Sequence, residues 1–119
     1  MYIIRNLPAL MVGVGLILAS RATAQTFTTL HNFTAIPGAT SGTNDDGAHP
    51  SGSLILSDNT LYGTTTYGGY WGRGTVFAIN TDGTGFTNLH SFSFSDGSNP
   101  QAGLVLSSNT LYGQHKMAA

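Results

Sequence analysis

Between residues 75 and 113 the chain alternates short apolar stretches with turn residues, and this pattern predicts four strands. Thr75 to Asn80 (Thr-Val-Phe-Ala-Ile-Asn) is rich in β-branched and aromatic residues, which suit a pleated, half-buried surface. Asp82-Gly83 supplies a turn in which glycine accepts a positive φ without steric cost, and Phe86 to Phe92 returns as the hairpin partner. Ala102 to Ser107 turns at Ser108-Asn109, where asparagine tolerates a left-handed backbone, into Thr110 to Gly113. The period of two sets Val76 and Ala78 against Phe77 and Ile79, and Leu104 and Leu106 against Val105. Strands that are apolar on both faces need a layer on each side.

The same pattern occurs twice. Phe27-Thr-Thr-Leu-His31-Asn-Phe33 returns as Phe86-Thr-Asn-Leu-His90-Ser-Phe92, identical at five of seven positions with a shift of 59. The stretch from Gly47 to Gly63 returns as Gly97 to Gly113, identical at ten of seventeen with a shift of 50. The difference of nine is an insertion, so the first copy spans residues 27–76 with an inserted loop at 34–45, and a second, partial copy spans 86–113. A period near 50 built of strands and tight turns fits propeller blades better than helical solenoids, whose repeats carry long segments of period 3.6.

The N-terminal pattern is different. Arg5 gives a basic start, Leu7 to Ala19 form a 13-residue apolar stretch, and Ala22-Thr23-Ala24 is a small-x-small cleavage pattern. The stretch is shorter than the roughly 20 residues a bilayer span requires and is interrupted by Pro8, Gly13 and Gly15. The expectation is a signal peptide over residues 1–24, removed after Ala24, with a β-repeat region over 25–119 that is secreted or held at the cell surface. No membrane span is expected after cleavage.

Composition sharpens this division. Apolar residues number 16 among the first 24 but only 32 among the following 95, whose Gly, Thr, Ser and Asn together make up 46. That is a thin core for a small domain. The region after Ala24 carries Asp45, Asp46, Asp58, Asp82 and Asp96 against Arg73 and Lys116, a net charge of −3. A nucleic-acid surface, which requires clustered Lys and Arg, is excluded. The chain has no cysteine, which removes disulfides, thiolate metal sites, thiol catalysis and a lipid-attachment residue.

Gly74-Thr-Val-Phe-Ala-Ile-Asn-Thr-Asp-Gly83, Phe86-Thr-Asn-Leu-His90, Gly97-Ser-Asn-Pro100, Ala102-Gly-Leu-Val-Leu and Asn109-Thr-Leu-Tyr-Gly113 resemble the tandem repeat named after Gloeobacter and Verrucomicrobia, the GloVer repeat, over essentially all of Phe27 to Gly113. The resemblance implies an exported bacterial protein, often surface-anchored, with β-propeller-like architecture and no catalytic residues to carry over. The fold expected is therefore all-β, with antiparallel propeller-like blades: about one and a half four-stranded repeats of an incomplete ring. After Tyr112-Gly113 the chain reads Gln-His-Lys-Met-Ala-Ala where the first copy continues Thr-Thr-Thr-Tyr-Gly-Gly, so the expectation is a truncated or fragmentary member.

Candidate chemistry is sparse. His31 and His90 occupy one repeat position on a strand face with phenylalanines, and the expectation is packing between blades with a ring nitrogen bonded to backbone. Asp46-Gly47 and Asp96-Gly97 lack the alternating ligands of a calcium loop and are expected to form turns. Nothing resembles a nucleophile elbow or a paired-carboxylate site, so no enzyme, catalytic residue, metal site or cofactor is expected. The glycine-rich run from Tyr67 to Gly74 concentrates aromatic rings in a loop, and Tyr67, Tyr70, Trp71 and Arg73 are the candidate binding residues. Their partners would be a cell-surface glycan or protein; further repeats of the same type are the other expected partner.

Overall fold

The computed structural model describes residues 2–5, 24–38 and 40–116, and the described residues are all-β with antiparallel sheets. The strands are β1 (Tyr2–Arg5), β2 (Thr26–Thr29), β3 (Ala48–Ser57), β4 (Thr60–Tyr67), β5 (Thr75–Asn80), β6 (Thr87–Ser91), β7 (Val105–Ser107) and β8 (Thr110–Tyr112). The expected leader core, Leu7 to Ala19, and the cleavage pattern up to Thr23 lie outside the described residues. Among the described residues no helix is long and apolar enough to cross a membrane.

The centre is a four-stranded sheet in the order β3-β4-β5-β6. One of its faces is built by pairs that sit directly opposite on β4 and β5: Leu61 with Ile79, Gly63 with Phe77, and Thr65 with Thr75. Glycine at position 63 is a packing requirement, because a Cβ there would run into the Phe77 ring and the Leu54 side chain. The space it leaves lets Phe77 lie wholly buried, with Ile79, Leu61 and Leu30 completing the core and Phe33 and Phe86 packed against it. Phe77 meets Phe33 edge-on at 5.3 Å and Phe86 in a stack at 5.5 Å, geometries that aromatic quadrupoles favour.

Polar residues complete the interior without leaving their hydroxyls unpaired. Thr65 and Thr75 have no solvent exposure, and their hydroxyl oxygens lie 2.8 Å apart. The Thr65 hydroxyl also donates to the Tyr67 carbonyl and accepts from the Thr75 amide. A threonine core of this kind satisfies the rule that buried polar groups keep hydrogen bonds, and it explains how a chain poor in apolar residues fills a sheet interface.

The turns repeat with the sequence. Gly47 and Gly97, His49 and Asn99, and Asp58 and Ser108 are equivalent pairs, and all six have positive φ. The left-handed residue of the β3–β4 and β7–β8 turns is thus Asp58 or Ser108, and in the second turn this is one position before Asn109, which was expected to take it. Shifted by the repeat, β6 corresponds to β2, and β7 and β8 to the Ile55–Ser57 and Thr60–Tyr62 parts of β3 and β4.

This equivalence sets the boundaries of the sheets. The strands read as one period, 75–80, 86–92, 102–107 and 110–113, do not share a sheet: the first two join β3 and β4, and β7 pairs with β8 in a separate hairpin. The central sheet therefore joins the second half of one period to the first half of the next. The central sheet is covered on one side by Leu30 and Phe33, next to β2, and on the other it meets the segment before β7. There Asn99 donates its side-chain amide to the Thr66 carbonyl at 2.9 Å, and the Ser51 and Thr66 hydroxyls both reach the Pro100 carbonyl at 3.2 Å.

β1 pairs with β2, Tyr2 opposite Thr29 and Ile3 opposite Thr28. On the central sheet Phe77 stands opposite Asn88 and Ala78 opposite Thr87. Because Thr28 and Thr29 are the repeat equivalents of Thr87 and Asn88, Tyr2-Ile3 occupies on β2 the register that Phe77-Ala78 occupies on β6.

Candidate functional site

The loop joining β4 to β5 is built on glycines. Gly68, Gly69, Gly72 and Gly74 all have positive φ, and Gly74 leaves no room for a Cβ, which would meet the Thr65 carbonyl and the Pro100 ring. Backbone bonds close the loop on itself: the Gly74 amide donates to the Gly68 carbonyl at 3.0 Å and the Gly72 amide to the Gly69 carbonyl at 3.2 Å. Asn44, from the inserted loop, braces it from outside. Its side-chain oxygen accepts from the Gly47 and Gly69 amides, and its side-chain nitrogen donates to the Thr34 and Gly47 carbonyls, all at 2.8–2.9 Å.

This frame pushes two rings into solvent. Tyr70 is 71% exposed and Trp71 59%, and the rings contact each other edge-to-face at 4.8 Å. The other two candidates are engaged elsewhere. Tyr67 is half-buried at the end of β4 with its ring edge against His49 at 5.3 Å, and the Arg73 guanidinium lies 3.8 Å over the Phe94 ring. A cation over an aromatic face at an exposed site contributes about 0.5–1 kcal/mol. The loop thus presents a Tyr70–Trp71 pair, with Arg73 and Phe94 forming a separate contact.

The second arrangement recurs with the repeat. His31 Nε2 lies 2.9 Å from Asp46 Oδ2, and His90 Nε2 lies 2.9 Å from Asp96 Oδ2. The histidines meet carboxylates, where backbone partners were expected. Their packing with aromatic rings is as expected: His31 stacks on Phe86 at 3.8 Å and meets Phe33 edge-on, and His90 meets Phe92 edge-on at 4.8 Å. Each carboxylate also ties down the turn before it. Asp46 Oδ2 accepts from the Thr34 amide at 2.9 Å, and Asp96 Oδ1 accepts from the Ser93 amide at 2.7 Å.

The Ser93 amide bond is the main reason the Asp96 carboxyl is held below the usual carboxylate range, with the Ser93 hydroxyl and His90 adding to it. The sequence signal for these couples was present, since both residues of each recur, but the insertion separates them by 15 positions in one copy and 6 in the other. Chemically each couple is a brace: the imidazole face of His31 is occupied by Phe86, and its Nε2 is taken by the carboxylate. Among the described residues no three His, Asp or Glu side chains converge on a point.

An antiparallel all-β fold whose turns and His–Asp braces recur with a sequence period defines a tandem β-repeat protein. The chain belongs to the Gloeobacter/Verrucomicrobia repeat family, whose model matches residues 12–118. No curated protein and no solved structure matches the chain.

Proposed function

We propose that this is an exported, non-enzymatic β-repeat protein with a structural or adhesive role at the cell surface, its sheets being blades of a propeller-like array. The observation that carries this reading is the placement of the central sheet between the segment after β2, in the first copy, and the segment before β7, in the second. Its two faces are occupied by Leu30 and Phe33 on one side and Asn99 and Pro100 on the other. His31 contributes to this stacking of repeats, its ring lying on Phe86 of the second copy at 3.8 Å. The leader pattern of residues 1–24 supports export.

The test is fractionation of the producing cell with N-terminal sequencing of the product. Surface or extracellular protein beginning at Gln25 is expected; protein retained in the cytoplasm and beginning at Met1 overturns the proposal. A second reading, a carbohydrate- or protein-binding module, is favoured by the exposed Tyr70–Trp71 pair, since a flat ring on a fixed loop can stack on a sugar face. Under that reading Trp71→Ala abolishes binding across a glycan panel and leaves the unfolding midpoint in place. Unchanged binding with lowered stability sinks it.

A further inference from the structure

A cavity of about 140 Å³ lies in the seam between the central sheet and the β7–β8 hairpin. Its walls are Thr64 and Val76 from the sheet, and Phe92, Leu104, Leu111 and Gly113 among the residues across from them. The last four are the repeat equivalents of Phe33, Leu54, Leu61 and Gly63. In the first copy those positions surround a filled space, because Phe33 touches the Phe77 ring, and a Cβ on Gly63 would strike Phe77 and Leu54. At Gly113 the same test meets Leu104 and no Phe77 counterpart. An apolar cavity of roughly 150 Å³ holds one benzene ring, so the space matches a phenylalanine ring such as that of Phe77.

The backbone agrees with the cavity. β4 is paired on both edges, with β3 and with β5, whereas β8 is paired among the described strands only with β7. Among the described strands β8 therefore has no neighbour corresponding to β5, and the cavity lies beside that edge. We infer that β8 is an acceptor for a strand of Gly74–Asn80 chemistry donated by another repeat. Its phenylalanine enters the cavity opposite Gly113, in the pairing by which Phe77 stands opposite Gly63. Main-chain bonds of strand addition supply affinity, and the pocket at alternate positions supplies selectivity. The inference rests on the tandem-repeat reading, which names further repeats as partners.

The experiment is an amide-resolved NMR titration of the full chain with a peptide spanning Arg73 to Thr81, alongside the same peptide carrying Phe77→Asp. Shifts and slowed hydrogen exchange at Thr110 to Gly113 are expected with the first, and at least tenfold weaker binding with the second. Gly113→Val in the protein, which fills the cavity, should weaken the native peptide equally. Equal binding of both peptides, shifts confined to other strands, or no shifts would overturn the inference. So would self-association that covers β8 and is indifferent to the peptide. Exchange at Thr75 to Asn80 separates the two levels: protection there with no peptide effect removes only the acceptor, whereas its absence removes the repeat sheet itself.

Discussion

Phe77 is the residue on which the central sheet depends most, and truncating it to alanine measures that dependence. Its side chain is fully buried, lies over Gly63, and contacts the rings of Phe33 and Phe86. Phe→Ala in a core costs about 3–5 kcal/mol, through lost transfer energy and the cavity left behind. Gly63 has no side chain with which to fill the void, which places Phe77→Ala at the upper end of that range. A domain of this size has about 5–15 kcal/mol in total, so the variant should lose between about a third and all of its stability. Phe77→Leu keeps most of the volume and should cost less than about 2 kcal/mol. Leu56→Ala, at a site 59% exposed, should stay within about 0.5 kcal/mol and serves as the control. Urea unfolding followed by far-ultraviolet circular dichroism is the appropriate assay, because the single tryptophan, Trp71, is exposed and its fluorescence reports little burial. If Phe77→Ala and Leu56→Ala shift the midpoint equally, the core has been misplaced and the argument from Gly63 fails with it.

Gly74→Ala combines a φ of +99° with a Cβ pressed on the Thr65 carbonyl, and should cost about 2 kcal/mol or more by denaturant midpoint. Asn44→Ala removes four hydrogen bonds that span two loops, which predicts a loss of about 1–3 kcal/mol and faster exchange of the Gly47 and Gly69 amides. For Asp96 the folded carboxyl titrates below its unfolded value, so its contribution to stability is present above about pH 3.9 and disappears as pH falls through the folded value. A carboxyl-detected NMR titration should find Asp96 below the usual aspartate range, and Ser93→Ala should raise it only in part, because the backbone donor remains.

Much of this architecture was legible in the chain. The strands at Thr75–Asn80 and Thr87–Ser91, their hairpin, and the burial of Phe77 and Ile79 follow from period-two patterning and turn chemistry, which act over a few residues. Sheet membership was not legible: whether the hairpin at 75–92 joins the strands before it or after it depends on packing between segments some 30 residues apart. The aromatic loop could be located from its glycines, but separating Tyr70 and Trp71 from Tyr67 and Arg73 required knowing that Phe94 lies under the guanidinium and His49 against Tyr67. The His–Asp couples were hidden by the insertion, and only the fold returns both copies to one geometry.

The offset between sequence period and sheet boundary bears on how such chains grow. Because the central sheet is sewn from two consecutive copies, an unequal crossover between copies that share this arrangement adds or removes one whole sheet wherever in the period it falls, and no breakpoint has to find a linker. Arrays of this kind can change length between generations without passing through a broken intermediate.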